Sequence, residues 1–339
     1  MPHGPADSPA RERTQLSGPE AIGVDLGGTK MLVGVVSASG DVVHRRVISS
    51  RGLDSEQLIE ALALQLQEAI DARPQVAAIG LGVPCTIDRG RGLCVSAVNL
   101  PMRDVPLRDI VTTRFGLPTS IDNDGNAAVI AEHRWGAAVG ATNVVLLTIG
   151  TGIGGGLIIN GLPYRGTTGA GAEMGHVVID IDGPPCQGNC PNRGCIEAIA
   201  SGTALGREAV EAAERHPDSA LGQALARGLT VDGQLTTELA HGGDAVATEV
   251  LATIGRRLGA ALSGQANIFD PDVMLLGGGV MAAGDLILGP AREEFAARAL
   301  PPQDRIPIHA AALGADAGMI GAAVLALEEL GEPVAGAVG

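Results

Sequence analysis

A chain of 339 residues with a net charge of −15 and 1% aromatic side chains is poorly suited to two classes of partner. Its acidic surface repels nucleic-acid backbones and anionic membrane faces, and it lacks the rings on which unpaired bases stack. Hydrophobic residues at 45% and charged residues at 18% are enough to fold, and the length exceeds what one core usually organises, so two α/β lobes are expected.

Residues 1–19 mix Pro, Gly, Ser and charge without a period and read as a disordered leader. The polar start lacks the apolar segment of a secretory signal, and no apolar run approaches the roughly 20 residues of a membrane helix. A cytoplasmic protein is therefore expected, with no membrane and no nucleic-acid partner. From Ala21 an apolar strand runs to Leu26, followed by the turn Gly27-Gly28, a strand from Met31 to Val36, the turn Ser39-Gly40-Asp41 and a third strand through Ile48. Leu58, Leu62, Leu66 and Ile70 recur at helical spacing within Asp54 to Ala72, and Val76 to Val83 is a short buried strand. A helix near Val105 to Phe115, a strand Pro118 to Ile121 and a helix from about Gly125 to Trp135 complete an α/β lobe.

The second half opens as the first does. Asn143 to Ile149 is an apolar strand, Gly150 to Gly156 a glycine-rich turn, Leu157 to Ile159 a strand, and Asn160-Gly161 the next hairpin signal. Both halves put small and hydroxyl residues at the tip of an apolar hairpin, which looks like an internal duplication. Helices are expected over Gly202 to Glu214, Thr236 to Ala240 and Ala245 to Ile268. They are followed by the strand Val273 to Leu276, a helix near Asp285 to Ala299, the strand Ile306 to Ala310 and a last helix from Asp316.

Glycine at a hairpin tip lets backbone N–H groups approach an anion closely, so a pair of such tips suggests a phosphate clamp. Asp25 would hold Mg²⁺ through water, Thr29, Thr148 and Thr151 would donate hydroxyl bonds to phosphate oxygens, and Lys30 would add positive charge. The glycines involved are Gly27, Gly28, Gly150, Gly152 and Gly154, with Gly277, Gly278 and Gly279 forming a further flat surface suited to adenine. Gly150-x-Gly152-x-x-Gly155 has dinucleotide-fingerprint spacing, but that motif must open a helix, and Leu157-Ile158-Ile159 reads as a strand. The competing reading of each tip is an ordinary glycine hairpin.

Ile121-Asp122-Asn123-Asp124-Gly125-Asn126 lies where a strand ends and a helix begins, the position at which open α/β sheets place ligands. Asp124 could accept a proton from an attacking hydroxyl with Asn123 orienting the acceptor, or these residues could simply cap the helix. His176, Cys186, Cys190 and Cys195 lie within 20 positions among turn-forming Pro and Gly, enough for a tetrahedral structural Zn²⁺ in a reducing compartment. Glu173 and Glu197 flank that loop and would approach the cleft when it orders. Cys85 and Cys94 stand apart from it.

The combination Asp25-Leu-Gly-Gly-Thr-Lys30, Asn99-Leu-Pro101, Asn123-Asp124-Gly-Asn126, Gly150-Thr-Gly-Ile-Gly154, Glu173-Met-Gly-His176, Cys190-Pro-Asn-Arg-Gly-Cys195-Ile-Glu197 and Gly277-Gly-Gly279 resembles the ROK family over about residues 20–325. That family groups bacterial sugar kinases with sugar-responsive repressors. The resemblance implies an actin-like ATPase fold, a duplicated ribonuclease-H-like α/β design with two lobes around a cleft. The lobes would span 20–140, joined by a C-terminal helix over 316–332, and 141–315 with a zinc loop over 176–197. It implies ATP and Mg²⁺ as cofactors, a hexose as substrate and glucose as favoured acceptor, Asp124 as catalytic base, and Asn99, Asn123, Glu173, His176 and Glu197 as sugar ligands. His176 would serve sugar and zinc through different ring nitrogens. Family kinases are commonly dimers, so a homodimer or dimer of dimers is expected. The chain departs from the usual Cys-x-Cys-Gly-x-x-Gly-Cys loop in placing Cys186 four residues before Cys190 and Pro191 after it. About 20 polar leader residues are too few for the helix-turn-helix of the repressors.

Overall fold

The computed structural model describes residues 18–97 and 100–331. The expected leader up to residue 17, the sugar ligand Asn99 and residue 332 lie outside the described residues. The chain runs β1 (Glu20–Leu26), β2 (Lys30–Ser37), β3 (Val42–Ser49), α1 (Ser55–Ala72), β4 (Ala78–Val83), β5 (Cys85–Asp88), β6 (Leu93–Ala97), β7 (Arg103–Val105), α2 (Leu107–Phe115), β8 (Thr119–Asn123) and α3 (Asp124–Trp135). It continues through β9 (Val144–Ile149), β10 (Ile153–Ile159), β11 (Leu162–Pro163), α4 (Ile196–Ala200), α5 (Gly202–Arg215), α6 (Ala220–Ala226), α7 (Gly233–His241), α8 (Ala245–Phe269), β12 (Val273–Gly277), α9 (Asp285–Arg298), β13 (Ile308–Ala310) and α10 (Ala317–Glu329).

Local chemistry sets many of these limits. α1 starts at a capping box in which Asp54 accepts the Gln57 N–H while the Gln57 side chain accepts the Asp54 N–H. Its apolar stripe, Leu58, Leu62 and Leu66, is buried. α2 begins only at Leu107, because Pro106 is its cap and Arg103–Val105 pairs as β7. The helix ends at Gly116 in the left-handed conformation that glycine adopts without penalty.

Two five-stranded sheets share one topology. The first has the order β3-β2-β1-β4-β8 and the second β11-β10-β9-β12-β13. In each, a central strand pairs antiparallel with the next strand in sequence and parallel with a later one: β1 with β2 and β4, β9 with β10 and β12. The duplication heard in the two glycine tips is therefore repeated in sheet order. A third sheet, β5-β6-β7, was not legible, because its strands of three to five residues carry no clear period. Within it Cys85 and Cys94, separate in the sequence reading, are joined as a disulfide with Cα atoms 6.1 Å apart.

Helices α10 and α3 stand in the middle of the molecule. α10 lies on β1 and β4 of the first sheet and also against α3, which in turn packs on β10 of the second. Successive glycines allow this stacking. A Cβ on Gly80 of β4 would strike the Ala322 carbonyl of α10, one on Gly321 of α10 would strike the Ala127 carbonyl of α3, and one on Gly125 of α3 would strike the Gly155 carbonyl of β10. The glycine-rich stretch 150–156 is thus divided. Only Gly150–Gly152 turns, while Gly154, Gly155 and Gly156 lie within β10, the last two beneath Gly125. Glycine permits a turn and a close helix-to-strand approach equally well, so composition alone did not separate the two roles.

Candidate functional site

Asp25 lies near the end of β1, and the tip beyond it closes through a bond from the Gly27 N–H to the Lys30 carbonyl, 3.0 Å. Ser50 donates to the Gly27 carbonyl at 2.6 Å and fixes the outer side of this tip. The Asp25 carboxyl lies against Gly318 in the first turn of α10, where a Cβ would come within 2.9 Å of it. Its pKa is raised to about 7, first by burial and then by the charge of Asp124, with Lys30 acting in the opposite direction.

Asp124 is the first residue of α3 and Asn123 its cap. The Asn123 side-chain oxygen accepts the Gly125 N–H at 2.8 Å, so the capping reading holds for Asn123. Asp124 also accepts the Gly125 N–H, yet burial outweighs that bond and pushes its pKa above the ordinary carboxylate range. Asp122, two residues before Asp124, is buried and held by the Asn126 amide at 3.0 Å and by Arg165 Nε at 2.6 Å. Arg165 follows β11 of the second sheet, so this ion pair ties the end of β8 to the other half of the molecule. No spacing rule could have found it.

The second tip is braced from three directions. The Gly150 carbonyl accepts the Gly202 N–H at 2.8 Å, and the Thr151 carbonyl accepts the Thr203 hydroxyl at 2.8 Å and the Gln187 amide at 3.4 Å. Glu197, buried on α4, accepts the Ile153 N–H at 2.8 Å. Thr148 sits opposite Gly154 in the β9–β10 ladder and beside Gly277 in the β9–β12 pair. Gly278 has φ of +88° and its backbone lies so close to Ile149 that a side chain would collide with it. The Gly277–Gly279 segment therefore backs onto the second tip, while a Cβ on Gly279 would meet only open space.

Glu173, Glu197, His176 and Asp124 share one electrostatic neighbourhood. The Glu173 pKa is raised by burial first, then by the charges of Asp124 and Glu197, against the lowering influence of His176. The ligand atoms of His176, Cys186, Cys190 and Cys195 all lie within 4.8 Å of one another. Cys190 and Cys195 sulfurs are 3.9 Å apart, and Cys186 Sγ is 3.5 Å from His176 Nδ1. Tetrahedral Zn²⁺ with bonds of about 2.3 Å to sulfur places its ligands roughly 3.5–4 Å apart, so this donor set fits, Cys186 included despite its altered spacing. Burial first, and then the neighbouring thiols Cys195 and Cys190, push the Cys186 thiol up; a divalent cation would reverse that. The Cys186 thiol also donates to Glu197 Oε1 at 3.6 Å, so Glu197 links the cysteine loop to the second tip. The sequence placed Glu197 near the cleft but carried no signal for this bond.

The raised Asp25 pKa has a stability consequence in metal-free buffer. A carboxyl ionising at about 7 when folded, against 3.8 ordinarily, favours the folded chain below pH 4 and loses that benefit as pH rises through 7. Asp25→Asn should therefore match the native chain near pH 4 and exceed its unfolding free energy by about 4 kcal/mol at pH 8. Denaturant unfolding across that range is the check, and parallel pH curves for the two proteins would contradict the assignment.

Two sheets of one topology, each presenting a glycine tip and separated by a pair of helices, define the two-lobed actin-like ATPase fold. Residues 21–329 match the ROK family, and the chain belongs to it. It is 36% identical over 315 residues to a glucokinase of Thermotoga maritima, covering 91% of this chain and 98% of that protein. The crystal structure of a ROK family glucokinase from Streptomyces griseus in complex with glucose and AMPPNP superposes with a TM-score of 0.84 at 36% identity, covering 91% of this chain and 99% of the other. The chain is also 32% identical to an N-acetylmannosamine kinase of Yersinia pestis, over 92% of this chain and 99% of that protein. Among the described residues no helix is long and apolar enough to cross a membrane.

Proposed function

We propose that this chain is an ATP-dependent sugar kinase that transfers the γ-phosphoryl group of ATP to a hexose, with the 6-hydroxyl of D-glucose as the favoured acceptor. The observation that carries the reading is the placement of Asp124. Its helix start is pressed by Gly125 onto β10, the strand leaving the second glycine tip, while its carboxyl lies in the electrostatic field of Asp25 beside the first.

In this reading Asp124 accepts the proton of the sugar hydroxyl as that oxygen attacks the γ-phosphorus, and the bond from phosphorus to the β,γ-bridging oxygen breaks to release ADP. The tips Gly27–Lys30 and Gly150–Gly152, with Thr148, Thr151 and Gly154 beside the second, hold the phosphates, and Gly277–Gly279 receives the adenine. Asp25 would hold Mg²⁺, which when bound neutralises charge on the phosphate oxygens. Asn123, Glu173, His176 and Glu197 orient the sugar, together with Asn99. His176, Cys186, Cys190 and Cys195 would hold a structural Zn²⁺, with His176 Nε2 left for the sugar because Nδ1 faces Cys186. Closure of lobes 20–140 and 141–315, the first completed by 316–332, would exclude water that otherwise competes for the phosphoryl group. A cytoplasmic homodimer is the expected form.

The similarity to glucokinases supports this reading, and the N-acetylmannosamine kinase marks its nearest rival, since the same motifs would serve N-acetylmannosamine, fructose or allose. A sugar-sensing protein without catalysis is the other alternative. ADP release measured with glucose, N-acetylmannosamine, fructose and allose, with ATP or polyphosphate as donor, separates them. Turnover should be fastest with glucose and ATP. A faster rival sugar would reassign the substrate, and binding without ADP release from any sugar would leave a sensor.

A further inference from the structure

The chain passes between the two sheets twice, from α3 to β9 through residues 136–143 and from β13 to α10 through residues 311–316. One carboxylate holds both crossings. Glu132, in the last turn of α3, is fully buried and has no ion-pair partner among the described residues. Its Oε2 accepts the N–H of Ala137 at 2.8 Å in the first crossing and of Ala312 at 3.0 Å in the second, and its Oε1 accepts the N–H of Leu313 at 2.8 Å. Gly136 lies so close to Oε2 that any side chain there would displace the carboxylate. The neighbouring residues extend the tie: a ring nitrogen of His133 bonds the Ala141 carbonyl at 2.8 Å, and Arg134 pairs with Glu328 of α10 at 2.6 Å.

A lone buried carboxylate is costly, and packing alone would favour an apolar side chain at this position. Three N–H donors on two oxygens need an acceptor-only group. A glutamine would turn its NH₂ against at least one of the same donors. Asp124 sits at the opposite end of the same helix, eight residues earlier and about 12 Å along its axis. A rotation of one lobe about the tied crossings would therefore be carried along α3 to Asp124.

We propose that Glu132 is a positioning residue, the pivot that ties both interlobe crossings to α3 and couples closure of the lobes to the placement of Asp124. The inference rests on the kinase reading above. In Glu132→Gln, kcat per folded molecule should fall by about tenfold or more while KM for ATP stays within about threefold. The contraction seen by small-angle scattering when glucose and AMPPNP are added to the native chain should shrink or vanish. A residue that only stabilised the fold would lower the melting temperature and leave both readouts unchanged, and that result in folded Glu132→Gln would overturn the proposal. If that variant does not fold, Gly136→Ala, which pushes a methyl group into Oε2, must show the same two effects, and native values there overturn it equally. A native chain that phosphorylates no sugar would sink the kinase reading alone. The pivot is then judged by amide exchange at Ala137, Ala312 and Leu313, which Glu132→Gln must accelerate in both crossings together; acceleration in only one would defeat it.

Discussion

Asp124→Asn should lower kcat by about 10²–10⁴-fold while glucose affinity stays within about threefold. The substitution keeps the shape of the side chain, and its amide oxygen can still accept the Gly125 N–H at the start of α3, so the helix and the cleft it faces should persist. What is lost is the carboxylate that, in the proposed function, takes the proton as the sugar oxygen attacks. Burial raises the Asp124 pKa, and this fixes the sign of the pH dependence. Below that raised value the carboxyl is protonated and cannot act as a base; above it the rate is full. The acid limb of kcat/KM in the native enzyme should accordingly lie above the ordinary carboxylate range and should disappear from the residual activity of Asp124→Asn. Coupled ADP release and titration of glucose binding supply the two measurements. Turnover within tenfold of the native enzyme would remove Asp124 from the role, and parallel loss of glucose binding would make it a sugar ligand instead.

Cys195→Ser should have the second largest effect, reaching the sugar ligands and the second tip together through α4. Cys195 is buried and caps α4, whose second residue is Glu197. With a sulfur ligand gone, one equivalent of zinc should be lost and the segment 176–195 should loosen, because such a loop has little apolar core and is ordered largely by its metal. Glu197, two residues beyond Cys195 on α4, would then shift, and with it the brace on the Ile153 N–H that shapes the second tip. The expected outcome is a rise in KM for glucose together with a fall in kcat of about 10–100-fold, the range seen when groups supporting a metal ligand or a binding loop are removed. Stability should drop by about 3 kcal/mol, or roughly 6–12 °C in melting temperature for a lobe of this size. Chelation of the native enzyme should reproduce the kinetic change, and readdition of Zn²⁺ should restore it only in the native chain. Fully active enzyme containing no zinc by metal analysis would contradict this account.

Much of what these experiments probe was present in local sequence. The hairpin from Glu20 to Ser37 and helix α1 follow from short apolar runs, glycine turns, helical spacing and a capping box, all of which act over a few residues. The cysteine loop was legible for a different reason: three thiols and an imidazole close together in a segment rich in Pro and Gly match the donor set of a structural zinc site. The family motifs named candidate ligands as well, but they carried no account of what holds those side chains in place.

That account depends on contacts between residues far apart in sequence. Asp122 meets Arg165 across 43 positions, Glu197 meets Ile153 across 44, and Glu132 meets Ala312 across 180. Gly125 and Gly155 were both visible as glycines, but only the packing of α3 on β10 assigned them to each other and took Gly155 and Gly156 out of the expected turn. The amino-acid sequence determined most of the longer strands and helices and the identity of the candidate groups, because those depend on backbone preference and side-chain chemistry within a turn or two. Only the tertiary structure decided which carboxylates are buried and which backbone N–H groups they accept, because burial and partnership are properties of surfaces that meet when the chain folds.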